Sequence, residues 1–304
     1  MSDMRSGSPL FLCVGDIDVD VLIGVDRLPA RDSKVNGQML QRVPGGMAGN
    51  VSVALARLGA HVRILGRVGD DEEAAFALHG LAASGVDTGC VVRLAGVRSF
   101  SCIGLITPDG EKSLVKLMTD AYRPHADELT ATSCEGVSHI HVTSVGDTAL
   151  CRQAVTRARA VGATTSLDVE RADCPSDAGR LRDALSGFDI VFCNADSRTA
   201  IDAVLAEPFV ALVPSVVTTL GADGARLEAD GQCIHAAGFA ADAKDTTGAG
   251  DCFAAACLHA RIVQRAGWEQ ALRFANCAAS LSTRAYGAQS ALPTLADVWR
   301  ALKD

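Results

Sequence analysis

The sequence predicts an α/β domain in which a largely parallel sheet is covered by helices. Apolar runs of four to seven residues alternate with Ala/Arg/Leu-rich segments of helical period, the pattern of buried strands joined by crossover helices. Several helical segments stop at a glycine, as at Gly59, Gly85 and Gly162. Hydrophobic residues make up 48% of the 304-residue chain and aromatics only 4%, so the core draws on Ala, Val and Leu, which suit helices packed closely on a sheet.

In chain order, buried strands are expected at Leu10-Val14, Val62-Leu65, Ile140-Thr143, Thr164-Asp168, Ile190-Cys193 and Ser215-Thr219. Helices are expected at Asn50-Leu58, Glu72-Ser84, Thr148-Ala160, Ala178-Leu185 and Trp268-Ser282, and the run Cys252 to Gln264 is helix-compatible throughout. Two regions break the rhythm: residues 19–42, and residues 91–118 with a Pro108-Asp109-Gly110 turn, read as extended, hairpin-like segments. Such insertions suit a small sheet over a site. With no Pro- or Ser-rich linker and no repeat, residues 1–304 read as one domain with those two segments as its lid.

Composition narrows the partners. The net charge of -8, with 28 Lys plus Arg against 36 Asp plus Glu and no basic block, argues against nucleic acid or an anionic membrane and for small molecules. Eleven cysteines, none in Cys-x-x-Cys spacing, suggest neither a disulfide framework nor a zinc ribbon, but reduced thiols in a cytoplasmic protein. The apolar run Leu10 to Val14 is too short for a signal peptide or a membrane span, and nothing later is long enough either.

The most telling stretch is Asp245-Thr246-Thr247-Gly248-Ala249-Gly250-Asp251, a glycine turn placed directly before a helix. The first amides of a helix lack partners within it, so they can hold an anion, and glycines let a phosphate approach the backbone. A carboxylate beside such an anion site is costly unless it works, for example by taking the proton of a hydroxyl that attacks phosphorus. Further loop signals are Gly15-Asp16-Ile17-Asp18-Val19-Asp20 after the first strand, Pro44-Gly45-Gly46-Met47-Ala48-Gly49-Asn50, and Thr219-Leu220-Gly221-Ala222-Asp223-Gly224. Loops at strand ends are where open α/β sheets bind ligands.

Taken in order, these segments resemble the ribokinase-like sugar kinases, the PfkB carbohydrate kinase family. Gly45 to Asp70, with Arg67-Val68-Gly69-Asp70, resembles the family's first signature, and Asp245 to Phe253 its second. The resemblance implies a ribokinase-like three-layer αβα sandwich with a mostly parallel central sheet and a small β lid. It implies transfer of the γ-phosphoryl group of Mg-ATP to a hydroxyl of a small carbohydrate, with sugar and ATP as partners and a homodimer through the lid. Asp251 would be the general base, with Gly248, Ala249 and Gly250 forming the anion hole. Asp18, Asp20, Gly45, Gly46 and Asn50 would bind the sugar, although Asp18 stands where ribokinase has asparagine, and a carboxylate accepts hydrogen bonds without donating any. Asn194, Thr219, Gly221, Gly224 and Asn276 would lie along the nucleotide. Asp245, Thr247 and Ser290 match positions around a monovalent cation, K+ in the family.

Two departures stand out. The family's Asn-x-x-Glu element, whose glutamate helps organise magnesium, reads Asn194-Ala195-Asp196-Ser197, so Ser197 replaces the glutamate and Asp196 is the available substitute. Val169-Glu170-Arg171 after Asp168 does not reproduce the pattern of the 2-keto-3-deoxygluconate kinases. A nucleoside kinase is the alternative within the fold, but a base wants an aromatic platform and Phe100 is the main lid candidate. A catalytically silent sugar or nucleotide sensor is the second alternative, motivated by Ser197. His139 and His141 share a strand face without a third ligand and read as structural. Phe253 with Cys257 and Leu258 reads as helix packing, Glu72 and Glu73 as first-turn acids, and Arg152, Arg157 and Arg159 as a solvated helix face.

Overall fold

Alternation along the first strand sets the layers of the molecule. In a strand, successive side chains point to opposite faces, and in β1 (Leu10–Val14) Phe11 and Cys13 join one core while Leu12 and Val14 join another, all four fully buried. The computed structural model describes residues 7–108, 112–143, 145–205 and 207–303. Asp109 and Gly110 of the expected turn lie outside the described residues.

After β1 come β2 (Asp18–Val25), β3 (Gly37–Gly45), β4 (His61–Leu65), β5 (Arg67–Val68), β6 (Val92–Arg93), β7 (Ser101–Ile106) and β8 (Lys112–Leu117). The second half carries β9 (Val137–Val142), β10 (Thr164–Val169), β11 (Ile190–Asn194), β12 (Ser215–Thr219), β13 (Ala225–Ala229) and β14 (Gln232–Ala236). The main sheet has the order β14-β13-β12-β11-β10-β9-β1-β4. Its pairings from β4 to β12 are parallel, and β13 and β14 close that edge as an antiparallel hairpin. One core packs α1 (Met47–Arg57), α2 (Glu72–Ala83), α6 (Ala249–Leu258), α7 (Trp268–Ser282) and α8 (Leu295–Ala301) on one face. On the other face lie α3 (Thr148–Val161), α4 (Ala178–Leu185) and α5 (Ala195–Val204). The molecule is thus a three-layer αβα sandwich. Asp71, Asp147, Asp177 and Asn194 cap α2, α3, α4 and α5 by accepting first-turn amides, each such cap contributing about 1 kcal/mol.

A smaller four-stranded sheet has the order β3-β2-β7-β8, with β2 parallel to β7 and the other pairs antiparallel. It joins the main body tightly, because β2 starts three residues after β1 ends and β3 runs almost directly into α1. Asp18, at the start of β2, therefore sits opposite Gly45 at the end of β3.

Some elements differ from the sequence reading. Helix α1 begins at Met47 rather than Asn50, because Gly46 at φ 84 makes the turn and Asn50 already lies inside the helix. The run after Cys252 leaves α-helical geometry at His259 in a single π turn, closed by Gln264 N–H donating to the His259 carbonyl at 3.2 Å. His139 and His141 are fully buried and both contact Ser166 Oγ at 2.7 Å; burial holds each down to about 3, so they stay neutral and structural.

Candidate active site

The carboxyl ends of β1, β10, β11 and β12 and the amino ends of α1 and α6 surround two adjoining cavities. The first, about 300 Å³, is lined by Asp16, Asp18, Asp20, Asn50, Asp168 and Asp251 among others. The second, about 650 Å³, is lined by Gly221, Ala222, Gly224, Ala240, Ala249 and Asn276 among others. Thr219, Gly250 and Phe253 line both, so the start of α6 is the partition between them. Phe253, expected to be packing alone, also forms part of that wall.

Asp251 occupies the first turn of α6 and is 7% exposed. Asn50 Nδ2 donates to Asp251 Oδ2 at 2.8 Å, and Gln289 Nε2 donates to Asn50 Oδ1 at 3.0 Å. Gln289 thereby fixes which way the Asn50 amide points. Burial, followed by the charge of Asp168, pushes the Asp251 carboxyl well above the usual range, and the Asn50 bond opposes this. An ionised carboxylate with a raised affinity for protons is what a hydroxyl-activating base requires.

Around it, the α6 turn is shaped by glycine for two different reasons. Gly248 sits at φ 73, where an added Cβ would come 2.5 Å from the Ala288 Cβ, so packing demands it. Gly250 has nothing within 4 Å of its Cβ direction, so the space beside it is open to a ligand. The Ala249 amide already donates to the Thr246 carbonyl at 3.2 Å, which puts the weight of any anion hole further along the turn.

The first cavity is rich in carboxylates. Asp16 accepts from the Met47 amide and from Thr143 Oγ1, both at 3.1 Å, and burial still raises it. Asp18 and Asp20 fold over Gly45, where a Cβ would stand 2.3 Å from Asp18 Oδ1 and 2.6 Å from Asp20 Oδ2, so any side chain there would displace the two carboxylates. The Cys102 thiol donates to Asp18 Oδ2 at 3.3 Å. Burial and the charge of Glu170 raise Asp168 to about 7, while Glu170 itself accepts from Lys116 Nζ at 2.8 Å.

On the other side, Thr219, Gly221, Gly224 and Asn276 gather on the second cavity, whereas Asn194 falls on the first. Asn194 is held there because its side chain caps α5, accepting from Ser197 N–H at 2.7 Å. Asn276 Nδ2 donates to the carbonyls of Ala236 and Ala237 at 2.9 and 3.1 Å and so pins α7 to the end of β14. Asp245 accepts from Thr247 N–H at 3.0 Å and Thr247 Oγ1 at 2.5 Å, and from Gly287 N–H at 2.8 Å. Ser290 is exposed, accepts from Gln41 Nε2 at 3.4 Å, and is linked to Asp245 through the Gly287 turn. Ser197 is fully buried with its Oγ unpartnered, and Asp196 is exposed and paired with Arg171.

Sequence reasoning did not assign Asp16, Lys116, Asp168, Glu170 or Gln289 to the site. Asp16 and Asp168 lie at strand ends, where α/β sheets bind ligands, and that signal was available. Lys116 and Gln289 carry no local signal at all.

The profile of the pfkB family carbohydrate kinases matches residues 9–295. The chain is 33% identical over 292 residues to the ATP-dependent ribose-1-phosphate kinase of Halopiger xanaduensis, covering 92% of this chain and 94% of that protein. It is 30% identical over 295 residues to the ribokinase of Bacillus subtilis, covering 94% and 97%. Arabidopsis thaliana ribokinase, solved in complex with ribose and ATP, superposes with a TM-score of 0.82 at 24% identity, covering 98% of this chain and 99% of that one.

Proposed function

The chain belongs to the pfkB family of carbohydrate kinases, and we propose that it transfers the γ-phosphoryl group of ATP to a hydroxyl of a small carbohydrate bound in the first cavity, with the nucleotide in the second. The observation that carries this division is the start of α6, where Gly250 faces both cavities and Asp251 is held by Asn50 on the acceptor side.

Asp251 takes the acceptor's proton as its oxygen attacks the γ-phosphorus in line with the departing ADP. Asn50, fixed by Gln289, keeps the carboxylate aimed and partly offsets the cost of its charge. Amides of the α6 first turn, centred on Gly250, receive the negative charge on the equatorial phosphoryl oxygens, where preorganised donors contribute most. The second cavity fits a nucleotide because its wall is made of glycine and small side chains that admit phosphates close to the backbone. Magnesium bound with the nucleotide would neutralise charge on the phosphates. Asp168 and Asn194, at the ends of the adjacent strands β10 and β11, offer the oxygen donors it takes, through water or directly.

Potassium activation through the Asp245, Thr247 and Ser290 turn belongs to the same reading, as does a homodimer through the small sheet, where Met39 (67%), Leu114 (51%) and Met118 (58%) are exposed. The described helices include none long and apolar enough to cross a membrane, and eleven free cysteines suit a reducing cytoplasm. ATP consumption measured with a panel of pentoses, hexoses, sugar acids and nucleosides tests the reading; no turnover with any of them at saturating Mg-ATP sinks it in favour of a silent sensor.

A further inference from the structure

Charge in the acceptor cavity is strongly one-sided. Asp16, Asp18, Asp20, Asp168, Glu170 and Asp251 line it, and among the described residues Lys116 is the one basic side chain that does. Glu170 already engages that amine at 2.8 Å. Asp16 is met by a backbone amide and a threonine, and Asp251 by Asn50. Asp18 is different: it is 4% exposed, and its Oδ1 has no hydrogen-bond partner. A buried carboxylate oxygen left in that state is expensive, and a cationic donor seated against it would remove the cost.

The two acids over Gly45 form one receptor. One oxygen of each of Asp18 and Asp20 and the Cys102 sulfur lie within 4.8 Å of one another, all buried. Burial and the charge of Asp20 hold the Asp18 carboxyl well above the usual carboxylate range; a cation between the two acids stabilises the ionised pair, which accepts hydrogen bonds only, and an anion there is disfavoured. Burial and the neighbouring carboxylates hold Cys102 as a thiol, donating to Asp18, rather than as a thiolate fit to bind a metal ion.

We propose that the acceptor is an amino sugar whose protonated amine sits between Asp18 and Asp20 above Gly45. This rests on the kinase reading for the chemistry but on the carboxylate pair for the substrate class. It sets the protein apart from the relative named for ribose 1-phosphate, since a phosphorylated acceptor would enter a pocket lined by six carboxyl groups against one lysine.

The test uses matched pairs: glucosamine with glucose, 1-amino-1-deoxyfructose with fructose, and 2-amino-2-deoxyribose with ribose, plus N-acetylglucosamine and ribose 1-phosphate. Coupled turnover and calorimetry in the presence of a non-hydrolysable ATP analogue are both read. At least one amine should exceed its neutral partner by about tenfold or more in kcat/KM or affinity, the size of one charge-assisted bond gained. Acetylation should abolish the gain, and Asp18→Asn should remove it while the analogue still binds and the fold survives. Amines that never outperform their neutral partners, or a preference unchanged by Asp18→Asn, overturn the proposal even if neutral sugars are phosphorylated well. Selective amine binding without turnover would support the proposal and count against the kinase reading alone.

Discussion

The two cavities on either side of α6 are built from opposite materials. The acceptor side is a ring of charged side chains brought in by β2, β8, β10 and α6 and by the residues that follow β1 and β10, several of them held by named partners such as Asn50 and Lys116. The nucleotide side is mostly backbone and small residues, with Gly221, Gly224, Gly238, Ala240 and Ala279 in its wall. On the proposed reading one cavity selects by charge and the other by shape. A change on the acceptor side should therefore act through chemistry at constant fold, and one on the nucleotide side through the space the backbone leaves.

The largest expected effect lies on the acceptor side. Asp251→Asn should keep the fold and both ligands but lower kcat by about 10²–10⁴, the range for losing a positioned base. Steady-state kinetics within a few-fold of wild type would break the assignment. Gly250→Val tests the wall shared by both cavities. Its Cβ meets nothing within 4 Å, so the variant should fold, yet the side chain would occupy the phosphoryl position and displace amide donors, of which one alone is worth roughly 3–4 kcal/mol in the transition state. Normal turnover in a folded Gly250→Val protein would show that this turn is structural.

On the nucleotide side the expected damage is to the backbone. Gly224 sits at φ 92, and a Cβ there would come 2.1 Å from the Ala236 carbonyl oxygen. Gly224→Ala should cost on the order of 1–3 kcal/mol of stability, the usual price of a strained backbone position, and should raise the KM for ATP more than that for the acceptor. Thermal melts unchanged by the substitution would remove shape as the basis of this cavity.

The contrast also explains what the sequence reveals. Strands with apolar runs, such as β1 and β12, are legible because both faces of a parallel sheet are buried and the runs are continuous. The glycine turns at Gly46, Gly224 and Gly248 are legible because backbone shape is written locally, and all three have positive φ. Charge convergence is not local: Lys116 meets Glu170 across fifty-four positions, and Gln289 meets Asn50 across more than two hundred. Helix α5 is not legible because its polar face, with Arg198, Thr199 and Asp202, breaks the apolar period. The β13–β14 hairpin, by contrast, carries a readable Asp230-Gly231 turn, with φ 51 and 70.

A finer test of the acceptor side uses pH. As the proposed base Asp251 would act ionised; its folded pKa lies above the ordinary carboxylate value, and the Asn50 bond is the influence holding it down. Activity should thus fall as pH drops through that raised value, and Asn50→Ala should move the acid limb of kcat/KM to higher pH. A limb that stays in place would mean that another group, such as Asp168, titrates in the profile.

The smallest effect is expected at Asp196. If the family glutamate had moved one position along the chain, Asp196 would turn inward and supply the missing charge near magnesium. Its side chain is instead 60% exposed and paired with Arg171 at the surface, an arrangement worth about 0–1 kcal/mol. Ser197, at the family position, is fully buried with an unpartnered hydroxyl, and on the proposed kinase reading it leaves a metal held largely through water one negative charge short. Titrating activity with free magnesium at fixed Mg-ATP should therefore show Asp196→Asn within about twofold of wild type, the reach of an exposed ion pair. Ser197→Glu should lower the half-saturating magnesium concentration while changing kcat less, provided that melting shows the larger side chain to be accommodated. A strong magnesium defect in Asp196→Asn would instead mean that this surface pair opens in the working enzyme and that the two cavities share a carboxylate the resting structure keeps outside.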